Sequence, residues 1–213
     1  MHDNARMSQD VSAWWAPTDP TGPRRGPVRV LGSGPGWDAG SASADAAIDS
    51  GVAVLIIIDD TAPSPTARAV GALLTGLDAS RAIPAEMPPL AWMQECAIVR
   101  DHIPGLRAIA DDPIRLAQTD PVLAYATAAL ITSLHRRIPV IVSGVVPHIA
   151  ALCAQRTTRQ ASEWVRSGFD DDDPVAVAAR QRLDLRPWIA ATVPLSDAQR
   201  TTMLRTILEG GAN

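Results

Sequence analysis

Seven consecutive apolar residues, Val52-Ala53-Val54-Leu55-Ile56-Ile57-Ile58, constrain this chain more than any other feature, because five of them are β-branched. Such a run suits a strand buried on both faces, the kind found in parallel sheets. Asp59-Asp60-Thr61-Ala62-Pro63 follows as a short loop. Ser64 then has the position of a helix N-cap and Pro65 that of a first helical residue, with an Ala-rich helix from Thr66 to Leu74. In open α/β sheets ligands bind beyond the carboxyl ends of the strands. A site in this protein is therefore expected near Asp59 to Thr66.

The remaining segments extend the same grammar. Val28 to Leu31 is a short strand candidate, followed by Gly32-Ser33-Gly34-Pro35-Gly36. Those glycines do not make a dinucleotide fingerprint, since the third is misplaced and Pro35 interrupts the turn. A helix is expected over Ser43 to Ser50, stopped by Gly51, and another over Leu90 to His102 with Trp92, Cys96 and Val99 inward. Asp112-Pro113 and Asp120-Pro121 repeat the cap-then-proline pattern, the second opening a long helix from Val122 to Arg137. His135-Arg136-Arg137 suits the negative pole of that helix. Pro139 to Val146 is a second buried strand, with helices expected over Pro147 to Gln155 and Arg159 to Arg166. Asp170 to Asp173 have the form of a solvated loop plus cap before a helix from Pro174 to Leu183. Pro187 to Val193 is a last strand candidate, and Asp197 to Leu208 a last helix. Strands alternating with helices predict an α/β fold: a parallel, Rossmann-like sheet with helices on both faces. Residues 1–27 lack periodicity and are expected to form a flexible arm, leaving 28–213 as one α/β domain. Trp14-Trp15 in that arm suit docking on the body of the chain or on a partner.

Several function classes drop out. A net charge of −4 does not favour nucleic acid or acidic membranes. No apolar run is long enough to span a bilayer. Lysine is absent, all 19 basic residues being Arg, which excludes Schiff-base chemistry and a lysine-dependent phosphate loop. Cys96 and Cys153 lie in apolar helical contexts and suit buried free thiols in a reducing cytoplasm. His2, His102, His135 and His148 are scattered singly, no cluster has metal-ligand spacing, and no metal or cofactor is expected.

Ordered fragments along the chain resemble one family. Ala44-Asp45-Ala46-Ala47-Ile48-Asp49-Ser50-Gly51, Ala72-Leu73-Leu74-Thr75-Gly76, Ala91-Trp92-Met93, Cys96-Ala97-Ile98-Val99-Arg100-Asp101, Arg136-Arg137-Ile138-Pro139-Val140 and Leu183 to Pro187 are similar to the second half of nicotinate-nucleotide:dimethylbenzimidazole phosphoribosyltransferase. The resemblance runs from about Ala39 to Ile207 and is to actinobacterial members above all. It implies a phosphoribosyltransferase-like domain and a place in making the lower ligand of cobalamin. It also implies association as a homodimer or with a full-length homologue.

The departures from that family fall on its chemistry. Where the family carries Gly-Glu-Met-Gly-Ile-Gly-Asn-Thr-Thr, this chain has Ile57 to Pro65, with Asp59 and Asp60 where a phosphate would sit and two prolines lacking N–H donors. Its Leu-Leu-Asp-Gly becomes Ile141-Val142-Ser143-Gly144, and its Ser-His-x-Ser-x-Glu-Pro becomes Gly168 to Pro174. The Gly-Glu-Gly-Thr-Gly that supplies the general base aligns with Ser196-Asp197-Ala198-Gln199-Arg200, where Asp197 alone keeps a carboxylate. Ser196-Asp197-Ala198-Gln199 equally suits a plain helix N-cap.

By this resemblance the candidate catalytic residue is Asp197. The residues placed to meet a small-molecule ligand are Asp59, Asp60, Thr61, Ser64, Thr66, Ser143 and Gly144. Three readings stay open: an impaired accessory or heteromeric subunit, an active phosphoribosyltransferase with Asp197 as base, and an altered catalyst taking a cationic or unphosphorylated ligand, which follows from Asp59, Asp60 and Asp170 to Asp173.

Overall fold

The computed structural model describes residues 27–59, 61–158, 161–190 and 195–210. Asp60, the Trp14-Trp15 pair and all of the expected arm except Pro27 lie outside the described residues. Five strands, β1 (Val28–Leu31), β2 (Val54–Ile58), β3 (Val140–Ser143), β4 (Val165–Phe169) and β5 (Pro187–Ile189), form one sheet in the order β1-β2-β3-β4-β5. Every pairing is parallel, with Leu55 opposite Val140 and Ile56 opposite Ile141 at the centre. The helices are α1 (Trp37–Asp49), α2 (Pro65–Thr75), α3 (Pro89–Arg107), α4 (Pro113–Gln118), α5 (Pro121–His135), α6 (Val145–Thr157), α7 (Ala161–Trp164), α8 (Pro174–Leu183) and α9 (Asp197–Gly210).

Sequential strand order has a direct consequence. Parallel crossovers are right-handed, so strands laid down in order place their connecting helices on the same face. Leu55 and Ile57 of β2 and Val140 and Val142 of β3 pack into one large core with α1 to α6 and α8. Val54, Ile56, Ile58 and Ile141 point the other way. There Leu204 and Leu208 of α9 cover them, together with Phe169, Trp188 and Ile189. Helices thus lie on both faces as expected, but α9 is the one described helix in the second core. The strand order never reverses among the described strands, so a ligand crevice of the switch-point kind is not built into this sheet.

Local signals account for most element ends. Ser64, Asp112, Asp120 and Asp173 each accept backbone N–H groups of the helix that follows, with proline at the first helical position. Gly76 ends α2 in the left-handed conformation. At the end of α5, Arg136 pairs with Asp45 and Asp49 of α1 at 3.0 and 2.7 Å, so this cation ties two helices together. Gly40 permits the close approach of α1 to α5, since a Cβ there would stand 2.2 Å from the Tyr125 carbonyl oxygen.

Four expectations are corrected. Helix α1 starts at Trp37, well before Ser43, with Gly36 at its N-cap. Helix α3 continues beyond His102 to Arg107, through Pro104. Strand β3 stops at Ser143, and α6 begins at Val145 instead of Pro147, whose missing N–H falls in a first turn that needs none. Of the stretch expected as a helix over Arg159 to Arg166, residues 159 and 160 lie outside the described residues, and the rest forms the short α7 and then β4 from Val165. Val165-Arg166-Ser167-Gly168-Phe169 is a weak strand signal because Ser167 and Gly168 interrupt its apolar character, yet both are fully enclosed.

Candidate functional site at the strand ends

The carboxyl ends of β2, β3 and β4 converge, and the first turn of α9 reaches over them. At the end of β2 the Asp59 N–H donates to the Ser143 carbonyl at 3.1 Å, carrying the ladder one residue past the strand. Asp59 is 4% exposed. Its Oδ1 accepts from the Thr61 N–H at 2.9 Å and the Thr61 hydroxyl at 2.7 Å, a local turn of the Asx kind. Its buried Oδ2 has no partner among the described residues. Ser64 is fully engaged: its hydroxyl donates to Asp120 Oδ2 at 2.6 Å and accepts from the Ala67 N–H at 3.0 Å. Asp120 also caps α5 through the Leu123 N–H at 2.8 Å, so Ser64 and Asp120 pin two helix N-termini together. Thr66 sits half-buried in the first turn of α2.

At the end of β3, Ser143 is fully buried and Gly144 turns the chain into α6 with φ of 96°. A Cβ at Gly144 would stand 1.8 Å from the Asp59 carbonyl oxygen, so the β2 and β3 ends touch backbone to backbone. The Gly144 N–H donates to Asp171 Oδ2 at 3.0 Å. Asp171 Oδ1 accepts from Arg200 Nη1 at 2.5 Å. The same Arg200 nitrogen stands 3.5 Å from Ser143 Oγ, and its guanidinium lies 5.3 Å from the centre of the Phe169 ring. One carboxylate thus joins β3, β4 and α9.

Beneath this junction His148 is wholly buried. Its Nδ1 stands 2.6 Å from the Gly144 carbonyl, an acceptor only, so Nδ1 carries the proton. Nε2 then accepts from the Ser167 hydroxyl at 2.9 Å. Burial pushes the imidazole pKa down from 6.5 to about 4, against the opposing pull of the Gly144 carbonyl and of Asp171. His148 is therefore a neutral clamp between the first turn of α6 and β4. Cys153, on the same helix, is also buried, and burial pushes its thiol up to about 12.

The acidic run is a solvated loop plus cap only in part: Asp170 and Asp172 are exposed and Asp173 caps α8, but Asp171 is buried. Asp170 pairs with Arg180 at 2.5 Å, Asp171 with Arg200, and Asp173 with Arg68 at 2.9 Å while capping α8. Each of these carboxylates is committed to an arginine, and no group of three or more metal-ligating side chains occurs among the described residues. The convergence of Asp59 with Asp170 to Asp173 that a cation site requires is not formed.

Ser196 and Gln199 make a reciprocal capping box: the Ser196 N–H donates to Gln199 Oε1 at 2.9 Å and the Gln199 N–H to Ser196 Oγ at 3.4 Å. Asp197 follows as the first residue of α9, one turn before Arg200. Arg200 itself was not foreseen as a site residue. A cation in the first turn of a helix opposes the helix dipole, which signals a nearby carboxylate. The sequence does not say that this is Asp171.

The chain matches the family model DBI_PRT, described as phosphoribosyltransferase, over residues 36–213. It belongs to that family. A nicotinate-nucleotide–dimethylbenzimidazole phosphoribosyltransferase of Streptomyces avermitilis is 32% identical over 180 residues, which cover 82% of this chain and 48% of that protein. One of Streptomyces coelicolor is 30% identical over 181 residues, 82% of this chain and 51% of that protein. The chain thus spans about half the length of the curated relatives it matches. The crystal structure of CobT from Thermus thermophilus superposes with a TM-score of 0.68 at 19% identity, over 83% of this chain and 54% of that one. That likeness gives the DBI_PRT family member the α/β architecture of CobT.

Proposed function

We propose that this DBI_PRT family member serves the lower-ligand phosphoribosyltransferase step as an impaired or accessory subunit, whose own strand-end site does not hold nicotinate mononucleotide. The observation that carries this reading is the double engagement of Asp171 with the Gly144 N–H and with Arg200. A helix N-terminus and a guanidinium are the groups that attract a phosphate. Here a carboxylate of the chain takes both. Ser64, a phosphate donor by position, spends its hydroxyl on Asp120. Asp59 adds negative charge at the end of β2, and Pro63 and Pro65 offer no N–H. The partner in this reading is a full-length homologue or a second copy of the chain.

A second reading has one observation in its favour. Asp197 opens α9 one turn before Arg200, and Arg200 reaches Ser143 and Asp171. The first turn of α9 therefore lies over the strand ends, where a general base would act on a benzimidazole N–H in an active phosphoribosyltransferase.

One experiment separates the two. The chain is incubated with nicotinate mononucleotide and dimethylbenzimidazole, alone and with a full-length relative, and the riboside phosphate is followed by chromatography. Absence of turnover by the chain alone, with co-elution or altered rate in the mixture, is the expected result. Turnover by the chain alone that disappears in Asp197→Ala would replace it with the second reading.

A further inference from the structure

Helix α3 lies on the outside of the larger core, where its main neighbours are α2 and the short turn Ala79–Arg81. Trp92, Cys96, Val99, Ile103 and Leu106 recur at helical spacing and pack into that core. On the other side of the helix, Leu90 is 69% exposed, Met93 63% and Ile98 42%. These are three of the four large apolar side chains exposed among the described residues. Leu90, Met93 and Ala97 share one stripe at the i, i+3, i+7 spacing, and Pro104 continues it two turns on. Exposed apolar side chains gathered on one face mark an interaction surface, where singly scattered ones do not.

Charge and shape point to one occupant. Helix α3 carries two acids, Glu95 and Asp101, against two arginines, Arg100 and Arg107, and Arg100 pairs with Asp101 at 2.9 Å. A helix with no net charge does not repel its own copy. Its two ends are complementary: Glu86 is exposed just before the first turn and Arg107 is exposed in the last. Leu90 projects near the first end, while Pro104 and Gly105 leave the surface flat near the second. Glycine weakens a helix relative to alanine, yet a Cβ at Gly105 would meet nothing within 4 Å. No contact inside the chain requires that glycine.

We propose that α3 pairs antiparallel with α3 of a second copy of this chain, about a two-fold axis at Ala97. Leu90 of each copy lies against Pro104 and Gly105 of the other, with Met93 and Ile98 on either side of the axis. Each Arg107 comes beside the other copy's Glu86, and the two helix dipoles oppose one another. A single pair of 19-residue helices buries less than the roughly 1,200 Å² of a standard complex, so the dimer is weak and depends on concentration. The pairing stands apart from the strand-end site and holds under either reading of its chemistry.

The test is sedimentation equilibrium of the full chain over a wide range of concentration. A mass rising from one copy to two is expected. Leu90→Glu and Met93→Glu, both at exposed positions that tolerate a good helix former, should each weaken the dimer roughly tenfold or more. Met203→Glu, at the exposed apolar residue of α9, should leave it unchanged. Register is read by diamide oxidation of Ala97→Cys in a Cys96→Ala background, where a covalent dimer is expected and Thr202→Cys serves as the control. A chain that stays monomeric throughout overturns the proposal. So does a dimer indifferent to Leu90→Glu and Met93→Glu, or an α3 face that pairs only when a full-length relative is added.

Discussion

Asp171 Oδ1 stands 2.5 Å from Arg200 Nη1, and this pair closes β4 against the first turn of α9. Asp171 is about nine-tenths buried, so the contact is more than a surface ion pair. Because Asp171 Oδ2 also holds the Gly144 N–H, the pair neutralises the positive end of α6 from within.

Asp171→Ser removes the charge and frees both the Gly144 N–H and the Arg200 guanidinium. We expect a loss of about 1.5–3 kcal/mol in chemical unfolding, the range for hydrogen bonds to charged groups. Inorganic phosphate should then stabilise the variant more than it stabilises the parent, read as a larger rise in unfolding temperature with phosphate concentration. An equal response in both proteins would show that Asp171 does not exclude anions.

His148 makes stability depend on pH. Its folded pKa of about 4 lies below the 6.5 of an unperturbed imidazole, chiefly through burial. Asp171 faces it at 4.0 Å, with Arg180 and Arg200 also acting on it. Between these two pKa values the unfolded chain takes up a proton that the folded chain refuses, so stability falls as pH falls from 6.5 towards 4. The full difference is on the order of 3 kcal/mol. His148→Gln should flatten that part of a urea-unfolding pH profile, leaving only the carboxylate-driven loss at lower pH.

Gly144→Ala tests the contact between the β2 and β3 ends. The added methyl carbon would stand 1.8 Å from the Asp59 carbonyl oxygen, at a backbone φ of 96°. Two backbones must then part at a buried junction. A destabilisation of at least about 3 kcal/mol is expected, by overpacking and backbone strain together. Circular-dichroism melting checks it, with Gly32→Ala, where nothing lies within 4 Å, as the comparison.

The central β2 run, the cap-then-proline starts of α2, α4, α5 and α8, and the α/β alternation are all legible in the residues. Each rests on interactions a few positions apart or on an unbroken apolar run, and these persist whatever the tertiary setting. Strand β4 is different. Ser167 and Gly168 belong in a sheet only because His148 bonds the serine and Leu204 and Ile141 pack against the glycine, contacts from distant parts of the chain. The strand-end residues Asp59, Ser143 and Gly144 were placed together by motif and do meet. That Asp171 pairs with Arg200 and Asp170 with Arg180 is not legible in the sequence, because an acidic run and an isolated arginine carry no mark of pairing.

The sequence by itself determined that this protein would be a parallel α/β sheet of the DBI_PRT phosphoribosyltransferase kind, since hydrophobic period, caps and ordered fragments are local properties. Tertiary structure alone decided that the strands run in sequential order with α9 on the opposite face. It also decided that four neighbouring aspartates would be divided among separate arginines and solvent. The physical reason is that a charge finds its partner through space: Asp171 meets Arg200 across 29 residues, and Arg68 meets Asp173 across 105. No spacing in the chain encodes such distances before the sheet brings their ends together.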